Sequence, residues 1–150
     1  WAHVGDSRLY RFAAGQCRGR TTDASYIEHL VENDKLPLEA AKAHRQSPLL
    51  LNVLGNVHKE PFVAIGSHDG LAADDAFLLC SDGLWAYFTD TELGSALNKN
   101  APRQASELLI NKAAERAEGK GDNCTMAMIK LVRPPKEVPN YTVQKMRRAV

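Results

Sequence analysis

Five consecutive apolar residues, Ala76-Phe77-Leu78-Leu79-Cys80, run without interruption into Ser81-Asp82-Gly83. A run this short and dense, ended by small and acidic residues, reads as a strand buried on both faces. It is also the longest dense apolar run in the 150 residues, far below the roughly 20 needed to span a bilayer, so no membrane crossing is expected.

The surrounding sequence supplies partners for such a strand. Ala2 to Phe12 reads as a strand that turns through Ala13-Ala14-Gly15-Gln16 into a hairpin. Ser25-x-x-Glu28 is a capping box opening a short helix with Ile27, Leu30 and Val31 on one face. Pro37 opens a second short helix through Ala43. Leu49 to Leu54 and Phe62 to Ile65 are short strand candidates separated by the turn-like Gly55-Asn56. Thr89-x-x-Glu92 is another capping box, for a helix reaching about Leu97. Asn100 is read as the cap of a longer helix, with Pro102 in its first turn and Ala105, Leu108, Leu109 and Ala113 on its buried face. The loop Glu118-Gly119-Lys120-Gly121-Asp122 leads into a last strand, Asn123 to Val132. Strands and helices mix without a βαβα rhythm, which predicts an α+β fold. Pro134-Pro135 and Pro139 mark the edge of a domain spanning 1–132, followed by a basic, Pro-containing tail or linker, 133–150.

Charge narrows the partners. The net charge is +1, with +4 in 133–150 and −3 on 1–132. A mildly acidic body excludes nucleic acid as the main partner, because phosphate-backbone binding needs clustered Lys and Arg. The tail reads as a solvated linker. Cys17, Cys80 and Cys124 are odd in number and form no C-x-x-C pair, so neither a disulfide framework nor a zinc knuckle is indicated and a reducing, cytoplasmic setting is expected. Trp1-Ala2-His3 runs directly into strand-like sequence, with neither an initiator Met nor a charged-then-apolar leader. A segment of a longer chain is expected.

Three aspartates stand at strand ends beside glycines: Asp6 in Val4-Gly5-Asp6-Ser7-Arg8, Asp82 in Ser81-Asp82-Gly83, and Asp122 in Gly121-Asp122-Asn123. Carboxylates at strand ends, with glycines permitting close backbone approach, suit a hard divalent cation such as Mg²⁺ or Mn²⁺. Asp-Gly and Gly-Asp are also ordinary turn dipeptides, and Asp69-Gly70 and Asp74-Asp75 are read as turns. Asn123 and Ser81 are candidates to hydrogen-bond a ligating carboxylate or a bound water. Arg8 is read as a support for Asp6 or the hairpin, and Trp85 as a core residue.

Taken in order, Val4-Gly5-Asp6-Ser7-Arg8, Leu78-Leu79-Cys80-Ser81-Asp82-Gly83-Leu84-Trp85 and Gly121-Asp122-Asn123-Cys124-Thr125 resemble three successive motifs of the PP2C (PPM) family of metal-dependent serine/threonine phosphatases. Between the first two, Thr22-Asp23-Ala24-Ser25 and Leu51-Asn52-Val53-Leu54-Gly55 are similar to the family's threonine-aspartate-histidine-serine and leucine-glycine segments. The resemblance covers 2–132. It implies part of a sandwich of two antiparallel sheets flanked by helices, and a two-metal site for Mn²⁺ or Mg²⁺. It assigns Asp82 and Asp122 to the catalytic metal pair, and Asp6, with Asp82 shared, to a third, weaker metal. Implied with it are phosphoserine and phosphothreonine hydrolysis by an activated water, and phosphoprotein substrates of a serine/threonine kinase. Ser25-Tyr26-Ile27-Glu28-His29-Leu30 followed by a short flap looks like compact bacterial members.

Two departures stand inside the match. Ala24 replaces the usual histidine, and His44-Arg45-Gln46-Ser47 replaces histidine-proline-glutamine-arginine, in the region matching the family's mobile flap. The family's upstream aspartate-glycine-x-x-glycine-histidine segment and its phosphate-gripping base have no counterpart. The chain as given is therefore expected to be incomplete for catalysis, with exposed sheet edges and a half-built core. The alternatives are a non-catalytic module on the same fold, and a small-molecule phosphatase.

Overall fold

The computed structural model describes residues 1–43 and 49–133. The strand expected over Ala2–Phe12 is two strands, β1 (Ala2–His3) and β2 (Arg8–Ala13). Gly5 lies between them at φ +94°, a region open to glycine and strained for other residues, and the two pieces join different sheets. β2 turns back through Ala14 and Gly15, both at positive φ as a type I′ turn requires, into β3 (Gln16–Arg20).

Ser25 opens α1 (Tyr26–Glu32) by accepting a hydrogen bond from the Glu28 amide at 3.3 Å, and α2 (Leu38–Lys42) follows Pro37. The strand expected over Leu49–Leu54 does not form, since Leu50 alone makes a bridge, to Ser25. The one expected over Phe62–Ile65 shortens to β4 (Ala64–Ile65), which pairs with β1. The cause is local. Asn52 accepts from the Phe62 amide at 2.9 Å and donates to the Phe62 carbonyl at 2.7 Å, so a side-chain amide takes the place of a backbone ladder.

β5 (Asp75–Cys80) is hydrogen-bonded along both edges in an antiparallel sheet of order β3-β2-β5-β6, the last strand being β6 (Met126–Lys130). This sheet, with helices on one side, confirms the α+β architecture. Tyr10, Phe12, Ala76, Leu78 and Cys80 point to the side covered by α3 (Asp82–Trp85), α4 (Asp90–Lys99) and α5 (Pro102–Ala117). There they meet Leu84, Leu93, Leu97, Leu109 and Ala113. The alternate residues face the other way, with Leu79 at 49% and Ile129 at 67% exposure. The expectation that β5 is buried on both faces is thus corrected: among the described residues no layer covers Leu79 or Ile129.

Thr89 and Glu92 complete a reciprocal capping box at the start of α4. Asn100 does not cap α5. It ends α4, its Nδ2 donating to the Ala96 carbonyl at 2.8 Å, and Ala101 precedes α5. The buried stripe of α5 is Ala105, Leu109, Ala113 and Ala117, whereas Leu108 is 41% exposed and off that face. Lys130 donates to the carbonyls of Leu97, Asn98 and Asn100, tying β6 to the negative end of α4. His44-Arg45-Gln46-Ser47 and the tail from 134 lie outside the described residues.

This packing sets unequal costs for two leucines. Leu78→Ala removes a fully buried side chain and is expected to lower stability by about 2–5 kcal/mol. Leu108→Ala is expected to lower it by less than about 1 kcal/mol. Urea denaturation of the two variants checks the order, and equal losses would contradict the helix face described.

Candidate metal centre

The first aspartate is held by its backbone. Gly5 O accepts from the Ala24 amide at 2.9 Å, and Asp6 O accepts from the Trp85 indole N–H at 2.9 Å. The loop between β1 and β2 is therefore gripped from the segment before α1 and from the end of α3. Burial pushes the Asp6 carboxyl above its ordinary value, and the charge of Asp82 pushes it further. The nearby charge of Arg8 pulls in the opposite direction without cancelling the rise.

The backbones beside Asp82 and Asp122 meet closely. A Cβ on Gly83 would lie 2.5 Å from Asn123 O and 3.0 Å from Asp122 O, so only glycine allows this approach. Ser81 staples the same junction. Its amide donates to Thr125 O at 3.0 Å, while its hydroxyl donates to Asn123 O at 3.1 Å and accepts from the Thr125 amide at 3.0 Å. One oxygen of each aspartate is held by the next amide: Gly83 N–H on Asp82 Oδ1 at 2.9 Å, and Asn123 N–H on Asp122 Oδ1 at 2.6 Å. These short loops leave the second oxygen of each carboxylate with no hydrogen-bond partner among the described residues. Asn123 acts here through its backbone, and Ser81 through the strand junction.

Arg8 and Trp85 do more than their sequence context indicates. Arg8 makes a two-pronged pair with Asp23, Nε to Oδ1 at 2.8 Å and Nη2 to Oδ2 at 2.6 Å, and Nη1 donates to the Tyr10 hydroxyl at 3.0 Å. Its guanidinium carbon lies 3.6 Å from the centroid of the Trp85 ring. Trp85 packs against the core but is only partly buried. Asp23 is the residue that sequence reasoning missed. A cation at the start of an apolar strand signals the need for an acid, but nothing in the spacing says which one. Ala24, lacking the usual side chain, contributes through its backbone, donating to Gly5 O and accepting from Leu51 N at 2.7 Å.

The oxygen donors are of the kind that hard divalent cations take. Their number is short: among the described residues no three His, Cys, Asp or Glu side chains form a cluster able to hold a metal ion. What is present fits one side of such a site.

No family model matches the sequence. Individual relatives do. The chain is 30% identical over 130 residues to the serine/threonine protein phosphatase PstP of Mycobacterium tuberculosis, a match covering 87% of this chain and 24% of that protein. It superposes on the S. agalactiae serine/threonine phosphatase with a TM-score of 0.78 at 28% identity, covering 87% of this chain and 52% of the other. It also superposes on the PstP catalytic domain in complex with 2 manganese ions with a TM-score of 0.68 at 27% identity, covering 88% and 53%. The chain spans about a quarter of the length of that curated relative and about half of each solved domain.

The burial of Asp6, with the nearby charge of Asp82, gives a signed expectation. A carboxyl held above its ordinary value makes the folded state weaker as pH rises through that value, and costs nothing in acid where both states are protonated. In metal-free protein, Asp6→Asn is therefore expected to raise the urea midpoint at pH 7 and to lose that advantage near pH 3. Denaturation of both proteins in chelator at the two pH values checks this, and an advantage independent of pH would contradict it.

Proposed function

The chain is homologous over most of its length to the PP2C (PPM) family of serine/threonine phosphatases, and on that premise we propose that its parent protein hydrolyses phosphoserine and phosphothreonine in proteins, with Asp82 and Asp122 holding the catalytic metal pair. The observation that supports this most is the junction at Gly83, which sets the two carboxylate loops against each other at adjoining strand ends. Asp6, within reach of the charge of Asp82, extends the same acidic edge and suits a further, weaker cation. A bound pair of Mn²⁺ or Mg²⁺ ions supplies a water of lowered pKa and shields the phosphoryl oxygens.

The chain's own contribution is geometric. The Gly83 and Asn123 amides fix one oxygen of each aspartate, which leaves the other free to ligate. Ser81 keeps the β5 and β6 ends from parting, so the spacing of Asp82 and Asp122 does not depend on a bound ion. A thiol nucleophile has little support. Burial pushes Cys80 up to about 12 and also raises Cys124, so neither is a ready thiolate at neutral pH.

The substrates are phosphoproteins made by a serine/threonine kinase, and the setting is cytoplasmic. In support, Cys17, Cys80 and Cys124 are free thiols. The basic stretch 133–150 serves as a linker beyond the phosphatase domain.

Hydrolysis of a phosphothreonine peptide by the full-length parent tests the reading. Activity is expected with Mn²⁺ and none after chelation. Asp82→Asn and Asp122→Asn are each expected to lower kcat by about 100-fold or more, since even the loss of an outer partner of a ligand costs up to about that much. Residues 1–150 alone are expected to be inactive. Turnover of small phosphoesters with no turnover of the peptide would overturn the protein-substrate reading.

A further inference from the structure

Contacts around Asp6 form a continuous chain that ends well outside the acidic edge. The Asp6 carbonyl is held by the Trp85 indole, the Trp85 ring carries the Arg8 guanidinium, and Arg8 is clamped by Asp23. Asp23 belongs to a segment with a second task. Ala24 donates to Gly5 O on one side and accepts from Leu51 N on the other, Tyr26 N donates to Leu49 O at 2.8 Å, and Ser25 bridges Leu50. Residues 23–26 and 49–51 are thus the two pinned feet of the excursion that carries α1 and α2. The Arg8–Asp23 pair is almost dry, with side-chain exposures of 14% and 5%. A two-pronged guanidinium–carboxylate pair in that setting fixes orientation as well as distance.

We infer that Arg8, Asp23 and Trp85 are positioning residues that set the backbone of Asp6 and couple it to the feet of the α1–α2 excursion. None of the three is assigned a ligand role. They act through Asp6: a displacement of either foot is passed by Asp23 to Arg8, and by the stacked indole to the carbonyl of Asp6. The path is short because Gly5 and Asp6 are adjacent and each accepts one bond, from Ala24 and from Trp85 respectively. The two feet therefore bear on the acidic edge through Asp6, from outside the aspartates themselves. This rests on the proposal that Asp6 and Asp82 face a divalent cation.

Trp85→Phe in the full-length parent is the discriminating variant. It keeps an aromatic face for Arg8 while removing the N–H that reaches Asp6, together with the smaller ring of the indole. Mn²⁺ binding is read by calorimetry and by electron paramagnetic resonance, independently of turnover. Backbone hydrogen exchange is read on the metal-free protein. The expected result is Mn²⁺ affinity weakened about 10-fold, in the range found when outer partners of a ligand are lost. The metal-free melting temperature should fall only modestly, with faster exchange at the amides of Ala24 and Leu51. Arg8→Lys should weaken Mn²⁺ binding and speed exchange at those amides more strongly, and also lower the melting temperature, because it loses the two-pronged pair and the stack. Unchanged Mn²⁺ affinity and unchanged exchange at those two amides, with or without a lower melting temperature, would overturn the inference and leave the three residues as packing alone. Should the unmutated protein bind Mn²⁺ no better than Asp82→Asn does, the metal reading itself fails and the inference falls with it. The two failures are separated by the behaviour of the unmutated protein.

Discussion

Arg8 opens β2 with a side chain that is only 14% exposed, and a guanidinium so placed must find a carboxylate. The acid it finds, Asp23, lies fifteen residues on, past the β2–β3 hairpin. Satisfying that one charge therefore folds the segment after β3 back across the start of β2. From there Ala24 reaches Gly5, and the stretch 49–51 is drawn against Ala24 and Tyr26. A buried pair of this kind adds little net stability, since desolvation offsets most of the Coulomb attraction. What it secures is a unique arrangement, because neither partner can move without leaving the other unpaired in an apolar setting.

β5 is the second fixed point, and it bears on the acidic edge from the opposite direction. Paired along both edges, it cannot slip by one residue without turning Leu78 and Cys80 out of the core. Its register decides where Ser81-Asp82-Gly83 emerges, and the register of β6 decides where Asp122-Asn123 enters. Ser81 makes three bonds across that junction. The spacing of Asp82 and Asp122 thus follows from the sheet, whereas the placement of Asp6, on an irregular stretch between two sheets, follows from Arg8, Asp23 and Trp85. One part of the edge is rigid by construction and the other is adjustable.

The legible parts of this structure are those carried by local chemistry. Thr89 and Glu92 announce the start of α4, Ala14-Gly15 the hairpin, and the run 76–80 the central strand, because caps, turns and apolar periodicity act within a few residues. The local signal misleads where a more distant partner overrides it. Leu49–Leu54 has strand-like residues, yet Asn52 bonds Phe62 and the pairing never develops. Asn100 reads as a cap for the helix ahead and instead ends the one behind. Leu108 sits beside Leu109 on α5, and only the packing of the neighbouring elements decides which of the two is buried. At the acidic edge, Asp6, Asp82 and Asp122 stand out by their glycines, while Asp23 carries no such mark. Its role exists only through Arg8.

The one-sidedness of the core and that of the acidic edge have a common origin. Leu79 and Ile129 are large apolar side chains on a face that water reaches, at positions where a sandwich would place a second sheet. The three aspartates leave oxygens free but form no cluster able to hold a metal among the described residues. On the proposed reading the metal ligands sit at strand ends between two layers, so a chain with one four-stranded sheet and only two short strands of another contributes a share of the ligands too. That share matches a chain covering about half of the solved phosphatase domains it superposes on. On that reading, covering the bare face and completing the ligand set go together. The docking of a second layer over Leu79 and Ile129 would carry its own strand ends toward Asp82 and Asp122, and the relay through Arg8 would then determine how Asp6 meets them.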